Sequence, residues 1–144
     1  MPRTLLGVLL LTPALVLANP IGLWKTIDDD TSQEQALVRI SEHQGLLVGE
    51  IIEVLDTKAD PEAVCALCTD DRKDAPIVGL AIIRDVPVAG NGRGFWDGGE
   101  ILDPNNGKVY RVRLALADDG RRLEVRGYIG RPLLGRTQIW HRVD

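Results

Sequence analysis

Phe95-Trp96-Asp97-Gly98-Gly99-Glu100-Ile101-Leu102-Asp103-Pro104-Asn105-Asn106-Gly107-Lys108-Val109-Tyr110 reads as a strand, a tight polar turn and the start of a second strand. Gly98 and Gly99 lack a Cβ, so the first arm can bulge there or let another backbone or a ligand come close. In the turn, Asp103 takes the first position, Pro104 presets φ, the asparagines tolerate the left-handed region, and Gly107 releases the chain into the next strand. A β-hairpin with a distorted first arm is the simplest outcome.

The same rhythm continues on both sides. Downstream, Tyr110, Val112, Leu114 and Leu116 share one face of the second arm while Arg111 and Arg113 share the other, which places those two arginines outside. Asp118-Asp119-Gly120 is a hairpin turn, residues 122–129 alternate again, Gly130-Arg131-Pro132 turns the chain, and residues 134–143 form a last strand. Upstream, strands are expected over 21–27, 36–41, 46–55 and 76–83, with a Gly- and Pro-rich loop over 85–94. Asp28-Asp29-Asp30 reads as a solvated turn in preference to half of a calcium loop. Asp60-Pro61-Glu62 has the chemistry of a helix start, so about two turns of helix are expected over 61–67.

Eight strands linked mostly by short turns, with one short helical turn, make an all-β chain. Sequential antiparallel pairing leads to an up-and-down barrel or to two packed sheets. A closed barrel leaves no exposed edge, and at eight strands its interior holds side chains or one small ligand.

Residues 1–18 stand apart from this pattern. Arg3 followed by the apolar run Leu5 to Leu17 and then Val16-Leu17-Ala18 reads as a signal peptide cut after Ala18, the alternative being a retained anchor. The run is shorter than the ~20 residues a membrane span needs. The mature chain, 19–144, is then one exported domain with no membrane span, periplasmic or secreted. Its formal charge moves from -4 to about -5 on losing Arg3. That acidic balance argues against nucleic acid, which demands a basic face.

Gly22-Leu23-Trp24 resembles the Gly-x-Trp signature of lipocalins, in which an arginine near the end of the last strand packs over the tryptophan. Arg142 is the matching residue here, with Arg136 second. A longer set of features is similar to an uncharacterised bacterial family, domain of unknown function 2147. It comprises Gly22-x-Trp24, Gly49-x-Ile51, Cys65-x-x-Cys68, Gly79-Leu80, the Trp96 to Tyr110 stretch, Val125 to Gly130, and Leu134-Gly135-Arg136-Thr137-Gln138-x-Trp140-x-Arg142. This resemblance implies an eight-stranded, mostly antiparallel, lipocalin-like barrel in the periplasm and brings no established activity.

Two cysteines three residues apart in an oxidising compartment favour a Cys65–Cys68 disulfide over redox chemistry or a metal site. No Gly-x-Ser-x-Gly elbow is present, and Glu100 and Asp103, three apart on a strand, diverge unless the glycines re-aim one of them. No catalytic residue, cofactor or metal is therefore assigned. Trp96, Tyr110, Arg126, Tyr128 and Gln138 are the candidate ligand contacts; turned inward, Arg126, Tyr128, Glu124 and Gln138 make a pocket for an acid headgroup, and turned outward they are a charged surface with cross-strand ion pairs. Gly22, Trp24, Arg142, Gly98, Gly99, Asp103 and Gly107 are assigned structural roles. The expected function is non-enzymatic binding of a small amphiphilic, lipid-like ligand; the alternative is a structural or protein-interaction module of the cell envelope with a side-chain-filled barrel and an unknown partner.

Overall fold

The computed structural model of the protein describes residues 2–11 and 19–144. The expected cleavage point after Ala18, and the end of the apolar run before it, lie outside the described residues. Eight strands follow one another: β1 Gly22–Ile27, β2 Glu34–His43, β3 Leu46–Val54, β4 Ala81–Pro87, β5 Phe95–Asp103, β6 Lys108–Ala117, β7 Arg122–Tyr128 and β8 Gly135–Arg142. Each pairs antiparallel with the next, and β8 returns to β1 through Trp24↔Arg142 and Lys25↔His141, closing the barrel. The register of β5 against β6 slips between Asp97 and Gly99, which is the bulge expected in the first arm. No helix among the described residues is long and apolar enough to cross a membrane.

Up-and-down topology sends the β2–β3, β4–β5 and β6–β7 connections to the end where the chain enters and leaves. That end is closed. Trp24, Ile40, Leu47, Leu114 and Leu123 fill it at 1% exposure or less, each contributing roughly 1.5–3 kcal/mol by leaving water. Arg142 lies over Trp24 with its Cζ 4.3 Å from the ring centroid. Its guanidinium donates to the carbonyls of Gly120 (2.7 Å), Ile21 (2.8 Å) and Asn19 (3.0 Å), while the Trp24 indole donates to Pro20 O at 2.8 Å. Gly22 is required here, because a Cβ would run into the Arg142 guanidinium.

The one long connection, residues 55–80, departs from expectation in two ways. No helix forms over 61–67. Asp60 Oδ1 accepts the Glu62 N–H at 2.9 Å and Ala63 N bonds Asp60 O at 3.1 Å, an isolated turn that uses the same cap chemistry as a helix start. The chain then extends: Val64 bridges Pro76, and Cys65 N donates to Ala75 O at 2.7 Å. These non-local bonds take the backbone groups a helix would have needed, and the Cys65–Cys68 disulfide (Cα–Cα 5.4 Å) fixes the turn that follows. The only helical turn described is the 3-10 turn at Asp118–Gly120.

The second departure is the fourth strand, which runs over 81–87 in place of 76–83. Of residues 77–80 only Leu80 is buried and Ile77 packs partly against the core, while Val78 is exposed; Gly79 N bonds Ile51 O (2.7 Å) and Ile51 N bonds Leu80 O (3.0 Å) before regular pairing begins. The strand then passes Asp85, at φ 62°, and still pairs Val86 with Leu47 and Pro87 with Leu46.

Candidate ligand site

The other end of the barrel is open. A cavity of about 880 Å³ runs from the rim into the interior, within the ~300–1,000 Å³ usual for small-molecule sites. Its depth is apolar, with Val38, Ile51, Ile101, Val125 and Trp140 among the lining residues. The β6–β7–β8 register explains why. Val125 stands opposite Gln138 and Leu123 opposite Trp140, so Leu123, Val125 and Gly127 share the inner face with Arg136, Gln138 and Trp140. Within this apolar wall the polar groups are few: Thr26, Tyr110 and Gln138. The Trp140 indole donates to Gln138 Oε1 at 3.3 Å, and Asn106 Nδ2 donates to the Tyr110 hydroxyl at 3.2 Å.

Three of the five expected ligand contacts, Tyr110, Tyr128 and Gln138, border this cavity. Trp96 does not. It is half-buried by the β4–β5 connection near the closed end, where its indole donates to Val88 O at 3.1 Å. Arg126 is also elsewhere, and the inward acid-headgroup pocket built on it is corrected. Arg126 pairs with Thr137 on the outer face, and its guanidinium holds the β7–β8 connection by bonding Pro132 O (2.5 Å) and Thr137 Oγ1 (2.8 Å). Strand alternation puts Glu124, Arg126 and Tyr128 together on the outer face, since Val125, opposite Gln138, faces inward; Tyr128 borders the cavity only from the end of β7 at the mouth. Arg111 and Arg113 are outside as expected, Arg113 lying 4.0 Å from the Phe95 ring centroid.

The arginine that does reach the mouth is Arg136, whose Nη2 lies 2.9 Å from Asp29 Oδ2. Counting by twos from Trp140 through Gln138 to Arg136 would have found it. Around it the rim is acidic, formed by Asp28, Asp29, Asp30, Asp56, Asp60 and Asp103. The backbone N–H groups of Thr31 and Asp30 hold the Asp28 carboxyl below its ordinary pKa, so it stays charged.

One wall of the mouth is the disulfide loop, which contributes Ala63, Val64, Ala66 and Leu67. Three contacts dock it on the barrel. Arg72, 3% exposed, forks onto Asp70 (2.6–3.2 Å), donates to Ala81 O at 2.8 Å and faces Glu100 Oε1 at 3.5 Å. Arg84 pairs with Asp71 at 2.9 and 3.0 Å. Third, the β5–β6 turn abuts the loop at Gly107, where a Cβ would overlap the Leu67 carbonyl and φ is +72°. Asp103 forms that turn, its Oδ1 accepting Asn105 N at 2.9 Å and its carbonyl accepting Gly107 N at 2.8 Å.

No curated protein matches the chain. Among solved structures, the Helicobacter pylori protein HP1028, described as belonging to the lipocalin family, superposes with a TM-score of 0.71 at 21% identity over 86% of this chain and 82% of that one. The shared feature is the fold. At the level of sequence, a family model described as an uncharacterised protein conserved in bacteria matches residues 22–142, and the chain belongs to that family, DUF2147.

Proposed function

We propose that the mature chain is an exported, non-enzymatic carrier that holds a small amphiphile with its apolar part in the barrel and its polar end at the rim. The observation that carries this reading is the cavity of about 880 Å³, apolar in depth and polar at its mouth. A barrel filled by side chains, as an interaction module would have, lacks such a space. The lipocalin-like fold supports the same reading, because barrels of this size suit one small ligand. Tyr110, Gln138 and Arg136 are proposed to contact the ligand, in place of Trp96, Arg126 and Tyr128.

Export is supported by two features. The Cys65–Cys68 bond belongs in an oxidising compartment. Residues 2–11 have no regular secondary structure, and their leucines and valine, 80–95% exposed, add nothing to the core, as suits a segment removed after targeting.

Native mass spectrometry of protein recovered from the periplasm tests the reading. The expected result is a chain starting at Asn19 carrying one small, extractable molecule in 1:1 ratio. Protein that is recovered empty, and that remains unchanged in mass after exposure to lipid extracts, would defeat it.

A further inference from the structure

The charge at the mouth names the kind of headgroup. Six aspartates and one arginine line the rim, and that arginine is already paired with Asp29 at 2.9 Å. The nearby bases Lys58 and Arg131 sit on the same loops but do not line the cavity. These carboxylates come from three separate connections, β1–β2, β3–β4 and β5–β6, and among the described residues no three ligating side chains gather into a metal site. They therefore act as a ring of negative potential around a low-dielectric opening, not as an ion cage.

A second feature points into the same space. Thr26 is 7% exposed, borders the cavity in β1 two residues before Asp28, and makes no side-chain hydrogen bond among the described residues. Its hydroxyl, able to accept or to donate, is a free polar group between the apolar depth and the acidic ring, where the polar end of a ligand would sit. An anionic headgroup would meet repulsion from the rim with no free cation to answer it. A cationic one would be drawn in by the field and find carboxylate acceptors on three of the rim's connections.

We infer that the barrel selects amphiphiles with a positively charged head, long-chain amines or quaternary ammonium compounds, over fatty acids. This rests on the carrier reading above and adds the sign of the headgroup. The mature protein's overall negative charge points in the same direction but would act on any cation; the rim aspartates make the preference local, and Thr26 places the polar end there.

The test is calorimetric titration of the purified protein at neutral pH with dodecylamine, dodecanol and dodecanoate, each below its micelle concentration. Dodecylamine should bind at least about tenfold tighter than dodecanoate at low salt, with dodecanol between them, and the gap should narrow at about 0.5 M salt as screening shortens. The double variant Asp30→Asn with Asp56→Asn should shrink the gap several-fold. The amide keeps the acceptor that Asp56 offers the Lys58 N–H, so the loop fold is retained. Arg136→Gln should widen the gap. Dodecanoate or dodecanol binding as tightly as the amine, or a gap untouched by the double variant, would overturn the inference while leaving the carrier reading intact. If none of the three binds, both fall.

Discussion

Arg142 does several jobs with one side chain at 1% exposure. It covers Trp24, satisfies three backbone carbonyls and lies on the strand pair that closes the barrel. Burial lowers its pKa, yet a guanidinium stays charged across the working range. Arg142→Ala should therefore cost roughly 3 kcal/mol in chemical denaturation, since buried acceptors lose charged donors. Arg142→Lys should recover only part of this because an ammonium lacks the planar fork. Asp70 offers a complementary test by pH. Its hydrogen bonds from the Arg72 side chain and backbone N–H hold its carboxyl at about 2, below the ordinary value. The stabilisation is present above about pH 4 and is lost as pH falls towards 2. Acid unfolding followed by circular dichroism should thus be less steep over that interval for Asp70→Asn than for the parent. Residue-level reading succeeded where chemistry is local: Asp103 and Gly107 in the turn, and Arg142 over Trp24. It failed for Arg126, because an arginine beside a tyrosine on one strand carries no mark of which face is inner.

At the scale of elements, the connection of residues 55–80 is the part of the fold with the most dependence on particular side chains. It has no ladder of its own beyond the Val64–Pro76 bridge, and is held by the disulfide, Arg72 and the Arg84–Asp71 pair. Closing so short a loop removes little entropy from the unfolded chain, so Cys65→Ala with Cys68→Ala should cost about 2 kcal/mol by loop entropy. Calorimetry should show the barrel still melting cooperatively, with faster amide exchange confined to residues 60–80. A second, separate melting transition would mean that the loop folds independently of the barrel. The same segment was the least legible in the sequence. Its turn chemistry at Asp60-Pro61-Glu62 is shared by helices and isolated turns, and its apolar run over 76–80 reads like a strand although only Ile77 and Leu80 pack against the core and regular pairing starts later. Strand alternation, by contrast, located the other seven strands to within a few residues.

For the whole molecule, closure was readable as the consequence of eight alternating segments joined by mostly short links, which leaves few arrangements without bare edges. Hollowness was not readable. Whether inward residues meet at the axis depends on side-chain volumes summed around the barrel, and here the large ones, Trp24, Ile40, Leu47, Leu114 and Leu123, crowd one end. Towards the other, Gly127 and Ala36 occupy inner positions and leave room. The filled half supplies the rigidity; the half with the small residues supplies the space.

The guanidinium of Arg142 also touches both extremities of the folded chain, bonding Asn19 O at 3.0 Å and lying 3.8 Å from an Asp144 carboxylate oxygen. Asn19, where the chain enters the barrel, and Asp144, where it leaves, consequently both lie at the closed base, the end away from the opening. A tether, fluorescent fusion or sensor-chip linkage attached at either terminus would leave the entrance facing outward and unobstructed.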